Sequence, residues 1–260
     1  MFKEILFWCE FPKKTNWDLI NKEIDFKTEI YIASNSKEEF LKYKNKIKNK
    51  NIKIGVWPVL PKSKGYWFSG FVDKESIDRL DQFKDFNIKI DLEPPIINGK
   101  GSFFTIFKYL SKYLFRKGIN NKYLADKINS LSNKKIILGP ISPKFYMKKY
   151  IEKIKWMDNY YQNYLFYTPM VIGLIRPIFR MWYWSWLRLK KLDNFCIAVG
   201  PVGKGIFGEE PEYKKLKQLE RDIYFVEKMG ATNLAIFELS GLFNKKDYKD
   251  WLNLIKRYKK

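Results

Sequence analysis

Two carboxylates stand one residue apart in Ile88-Lys89-Ile90-Asp91-Leu92-Glu93-Pro94-Pro95, where a short apolar run meets two prolines. Alternate residues of a strand project to one side, so Asp91 and Glu93 should point together, about 6 to 7 Å apart. Proline cannot continue a central strand, which sets the pair at the strand's carboxyl end. Such a pair suits cleavage of a glycosidic bond, where one carboxyl group protonates the leaving oxygen and another helps to stabilise an oxocarbenium-like transition state. Glu93 is the expected acid, because a glutamate near a second carboxylate and partly walled by aromatic rings has its pKa raised. Asp91 is expected to stay ionised and to orient either the substrate or Glu93.

The remaining residue types narrow the chemistry. The chain has no histidine, which removes the commonest general base and the commonest zinc ligand. Cys9 and Cys196 lie far apart within apolar runs and read as buried free thiols. Neither would have an imidazole to activate it. Hydrolytic chemistry must then rest on carboxylates, tyrosines, lysines or an oxygen-ligated metal. No motif present calls for a cofactor or a dedicated metal site.

The elements that must position the acids alternate along the chain. Strand-like segments run over Ile5–Cys9, Glu29–Ala33, Ile52–Pro58, Ile88–Leu92, Lys135–Leu138, Tyr161–Tyr167, Phe195–Val199 and Leu234–Phe237. Helical spacing fills Asn16–Lys22, Lys37–Lys48, Lys74–Phe83, Phe103–Leu131, Pro143–Lys155, Met170–Leu192, Glu212–Met229 and Lys245–Tyr258. Strict alternation implies parallel strands, and eight such units in 260 residues predict an α/β fold, a single (β/α)8 TIM barrel, in preference to a doubly wound sheet. Without a linker rich in Gly, Pro or Ser, residues 1–260 read as one domain.

A barrel of this kind carries its active site at the carboxyl ends of its strands. There the sequence places Glu10 after strand one, Trp57 after strand three, Asp91 and Glu93 after strand four, Tyr164 and Tyr167 at strand six, and Glu238 after strand eight. Glu238 and Glu10 are the candidates for a second catalytic carboxylate. Trp57, Tyr66 and Trp67 are candidates to stack on sugar rings. Acids at strand ends also pair with lysines, and lysines are abundant here.

The strand-four residues resemble those of the chitinase-like family 18 glycoside hydrolases, whose signature there is D-x-x-D-x-D-x-E. Asp91 and Glu93 match its last two acids, whereas its first two positions fall on Phe86 and Lys89. Ala235-Ile236-Phe237-Glu238-Leu239-Ser240-Gly241 looks like the last strand of those enzymes, where an aromatic residue closes the sugar pocket, and Tyr167 or Tyr164 matches their strand-six tyrosine. The resemblance implies an acid at Glu93 and an Asp91 that positions a substrate N-acetyl group acting as internal nucleophile.

Two further segments stand out. Gly200-Pro201-Val202-Gly203-Lys204-Gly205 follows strand seven and reads either as a phosphate cradle, with Lys204 adding charge, or as a lid hinged on glycines. Its glycines fit neither the Walker A spacing nor a dinucleotide fingerprint. Thr168–Lys191 is aromatic and basic, with Trp182, Trp184 and Trp186 followed by Arg188. Such a helix can lie on anionic lipid, or it can pack between the barrel and a second copy of the chain. Fifty Lys and Arg against 28 Asp and Glu give a net charge of +22, which attracts anionic partners. The lysines are also widely spread, as in a chain rich in Lys, Asn and Ile throughout.

A carbohydrate or glycoconjugate substrate is therefore the first expected partner, followed by an anionic membrane surface and a homodimer mate. Nucleic acid ranks below these, because no RNA-binding signature is present. The charged, short apolar run at Met1–Glu10 does not read as a secretion signal, so a cytoplasmic protein, or one peripheral to a membrane, is expected. The alternative to an enzyme is a catalytically silent barrel that binds membrane or carbohydrate through the aromatic basic segment.

Overall fold

The computed structural model describes residues 1–95, 118–139, 153–155, 157–171, 173–188, 195–206, 208 and 210–260, with only the helical backbone described for 186–188. Eight strands form a closed barrel in chain order: β1 (Glu4–Cys9), β2 (Thr28–Ser34), β3 (Ile52–Pro58), β4 (Ile88–Asp91), β5 (Ile136–Gly139), β6 (Tyr160–Phe166), β7 (Phe195–Val199) and β8 (Asn233–Phe237). The first and last strands pair in parallel, from Glu4 opposite Asn233 to Trp8 opposite Phe237. β2, β4, β5, β7 and β8 are buried along their whole length, as strands covered on both faces require. The expected α/β barrel is the observed fold.

The helices among the described residues are α1 (Trp17–Glu23), α2 (Lys37–Lys44), α3 (Lys74–Asp78), α4 (Asn121–Asn129), α5 (Arg176–Arg188), α6 (Leu216–Lys228), α7 (Leu239–Phe243) and α8 (Tyr248–Arg257). Several starts are written in the sequence. Asn16, Ser36 and Asp73 each cap a helix by accepting a backbone N–H three residues on, from Leu19, Glu39 and Ser76. Pro177 falls in the first turn of α5, where its missing N–H costs nothing, so α5 begins inside the expected Met170–Leu192 segment at its proline. The expected helix at Lys245–Tyr258 is α8, with the short α7 added ahead of it. The expected helix at Pro143–Lys155 and the first part of that at Phe103–Leu131 lie largely outside the described residues.

Contacts group the chain into two compact units. One comprises Met1–Ile30, Lys46–Lys53 and Tyr164–Lys260; the other comprises Tyr31–Asn45 and Ile54–Asn163. In the first, Asp222 of α6 is fully buried and ties elements together: it accepts from Thr168, from Arg180 Nη2 at 2.6 Å and from the Tyr213 hydroxyl at 2.8 Å. In the second, Gly55 lies flat against Tyr31, where an added Cβ would meet the ring at 2.4 Å.

Candidate active site

β4 presents Lys89 and Asp91 on one side, two residues apart, as strand alternation dictates. Lys89 Nζ donates to Asp91 Oδ1 at 2.7 Å and Oδ2 at 2.6 Å, with both side chains buried. The same ammonium sits 3.5 Å from the centre of the Trp57 ring, a close cation–π contact that occupies one face of the indole. Burial pushes the Asp91 pKa up, and the Lys89 charge and hydrogen bonds, with Trp57, oppose that rise. Glu93 follows at the end of β4, half-buried.

The loop after β3 packs onto this strand end. Phe68 N–H donates to the Asp91 carbonyl at 3.1 Å, and Leu60 N–H donates to the Tyr66 carbonyl at 2.7 Å. The turn requires Gly65 at φ 103° followed by Tyr66 at φ 67°. A Cβ on Gly65 would meet Pro95 at 2.7 Å, so the turn lies directly on the proline that ends the strand. Tyr66 and Trp67 meet edge to face at 5.6 Å, and both are buried, as is Trp57.

A different arrangement closes β8. Glu238 is buried and caps α7: its carboxylate accepts from Gly241 N–H at 2.9 Å, the Ser240 hydroxyl at 2.5 Å and Glu10 N–H at 3.1 Å. Desolvation raises its pKa, and these hydrogen bonds work against the rise. Glu10 and Glu210, both buried, crowd Gly205: a Cβ there would meet Glu210 Oε1 at 2.8 Å and Glu10 Oε2 at 3.2 Å. Burial, with the Glu238 and Glu10 charges, pushes the Cys9 thiol well up, so that sulfur is held as the inert thiol. Among the described residues no group of three or more Cys, Asp and Glu is arranged to hold a metal ion.

The other predicted residues are distributed as follows. Tyr167 stacks on Phe237 at 5.5 Å and 15°. Tyr164 is fully buried beside Phe195, and by strand alternation it shares the side of Phe166, which packs on Phe179 and Tyr183 of α5. Lys204 is exposed. The glycines around it serve close backbone approach, since a Cβ on Gly203 would meet Gly241 Cα at 2.4 Å. Trp182 is on the outside of α5, Trp184 turns toward Phe225 at 5.6 Å, and the Trp186 and Arg188 side chains lie outside the described residues. Phe86, at the first signature position, packs against Phe40 at 4.8 Å beneath Lys37 and Lys44.

Glu210 and the Lys89–Asp91 contact were not picked out as site features from the sequence. Lys89 was visible, since it shares the strand face of Asp91, but Glu210 is brought to Glu10 only by the fold.

No protein-family model matches the chain, and no curated protein matches it. Solved structures match over nearly its whole length. The PgaB (BpsB) glycoside hydrolase domain from Bordetella bronchiseptica aligns with a TM-score of 0.59 at 9% identity, over 98% of this chain and 99% of that one. The catalytic domain of a family GH18 chitinase from the fern Peteris ryukyuensis aligns with a TM-score of 0.50 at 9% identity, over 98% of each chain. A xylose isomerase domain protein from Planctomyces limnophilus gives 0.47 at 10% identity, over 98% and 96%. The likeness is one of fold: this chain shares the barrel architecture of chitinase-like glycoside hydrolases.

Proposed function

We propose that this protein is a carboxylate-dependent hydrolase or transferase acting on a glycosidic bond of a carbohydrate or glycoconjugate, with Glu93 as general acid. The observation that carries this reading is the buried Lys89–Asp91 pair under Trp57, two residues before Glu93 at the carboxyl end of a barrel strand. A buried ion pair returns little net stability compared with apolar residues of the same volume, so a mouth that keeps one supports a functional demand. Glu93 would protonate the leaving oxygen. Asp91, fixed through both oxygens by Lys89, would act as an oriented acceptor for a substrate N–H or O–H group. In the resembled family a carboxyl group stands where Lys89 stands here, so the charge partner of Asp91 differs in sign.

The test is turnover on a panel of oligosaccharides, with and without divalent metal, for wild type and Glu93→Gln. Loss of a general acid should lower the rate by about 10²- to 10⁴-fold with an unchanged thermal melt. Full activity in Glu93→Gln on any cleaved substrate would sink the assignment. Neutralisation of Asp91 by Lys89 favours one second reading, a silent barrel that binds carbohydrate. Saturable glycan binding by the wild type without turnover would select it.

A further inference from the structure

α5 is two-sided in a way that neither the barrel nor the proposed chemistry accounts for. Its inner side carries Phe179 and Tyr183, which pack on Phe166 at 5.7 and 4.9 Å. Arg180 on the same helix reaches the buried Asp222, so the helix is anchored by a charged hydrogen bond as well as by rings. Its outer side is an apolar stripe. On α5 Ile178 is 66% exposed, Met181 71% and Trp182 47%, and in the 3-10 turn Gly173–Ile175 just ahead of it Leu174 is 91% and Ile175 48% exposed. Ile178, Met181 and Trp182 stand three and four residues apart, on one face of the helix. Five large apolar side chains side by side on the surface form a patch of the kind that marks an interaction site.

The charge of the sequence that carries the stripe selects its occupant. From Asn159 to Leu192 the sequence contains no Asp or Glu, and besides the Arg180 held by Asp222 it includes Arg176, Arg188, Lys190 and Lys191. A second copy would bring two such acid-free segments together, in a protein already carrying +22, and repulsion opposes that pairing. A polyanion such as nucleic acid would meet the cations but leave Leu174, Ile178 and Met181 in contact with phosphate. An anionic bilayer satisfies both parts: aliphatic side chains enter the headgroup–acyl boundary, a tryptophan sits at the interface, and basic residues meet lipid phosphates. Among the described residues no helix is long and apolar enough to cross a membrane.

We propose that the outer face of α5 and the turn ahead of it, from Leu174 to Trp182, dock the protein on the surface of an anionic phospholipid bilayer. The inference is independent of the glycosidic reading, because its test uses no activity. Wild type and the double variant Ile178→Asp/Met181→Asp are sedimented with phosphatidylcholine vesicles containing 30% phosphatidylserine, and with phosphatidylcholine alone, at low and at physiological salt. Both replaced residues are exposed, so far-ultraviolet circular dichroism and the melt should not change. Wild type should pellet with the anionic vesicles and retain part of that binding at physiological salt, and the variant should bind at least tenfold more weakly. Equal binding by the two proteins would assign any adsorption to overall charge and overturn the proposal. Absence of wild-type binding would overturn it as well, and so would a wild-type dimer in sedimentation velocity that the variant abolishes while vesicle binding is unaffected.

Discussion

The ends of β4 and β8 each bury a carboxylate, and they hold it by opposite means. Asp91 is met by a full positive charge, the Lys89 ammonium, which also lies on the Trp57 ring. Glu238 is met, among the described residues, by neutral donors: two backbone N–H groups and a hydroxyl. Desolvation raises the pKa of both groups. The difference lies in what each carboxylate is tied to. A counter-charge fixes a short side chain in place without engaging the backbone around it, whereas a helix cap makes the carboxylate part of the backbone itself. Asp91 is thus built like a site residue, and Glu238 like a joint between β8, α7 and the start of the β1 loop.

The sharpest way to break the comparison is to remove the counter-charge. Lys89→Met leaves Asp91 buried without its ammonium and should cost about 3 to 5 kcal/mol at neutral pH in denaturant unfolding. That loss should shrink toward acid pH, since a protonated Asp91 carries no charge to compensate. Adding Asp91→Leu should restore stability to within about 1 kcal/mol of wild type, because an apolar pair can replace a buried ion pair. If the double variant is as unstable as the single one, the counter-charge account of β4 is wrong.

A smaller effect is expected at β8. Glu238→Ala removes the cap of α7 and leaves the donors of Glu10, Ser240 and Gly241 without this acceptor, at a cost of about 1 to 2 kcal/mol. A loss as large as that of Lys89→Met would mean that the two ends do not differ as argued. Smallest of all is the pH dependence of Glu238 itself. Its native pKa is raised above the unfolded value. The folded state therefore binds the extra proton between those two values, and stability falls as pH rises through that window. The slope amounts to about 1.4 kcal/mol for each unit of difference. Glu238→Gln should flatten this fall in a urea series from acid to neutral pH.

Much of this architecture was legible in the chain. The short apolar runs ending at Cys9, Pro58, Leu92 and Phe237 have the length of buried strands, and Asn16, Ser36 and Asp73 announce helix starts. Asp91 and Lys89 share a strand face by simple alternation, so the sequence placed them on one side. The tryptophans of α5 were harder to read. Composition grouped Trp182 and Trp184, but the helix turns one outward and the other onto Phe225.

By itself, then, the sequence determined the alternating elements, the closed parallel barrel that they imply, and the acids that stand at strand ends. Those properties depend on neighbours within a few residues, where backbone periodicity and turn chemistry act. Only the tertiary structure decided what each acid meets from outside its own segment: an indole at Asp91, the Glu10 N–H at Glu238, and a glycine shared by Glu10 and Glu210. Those partners come from segments that the fold brings together, whereas Lys89, Ser240 and Gly241 lie close in sequence to the acids they meet, where local geometry acts.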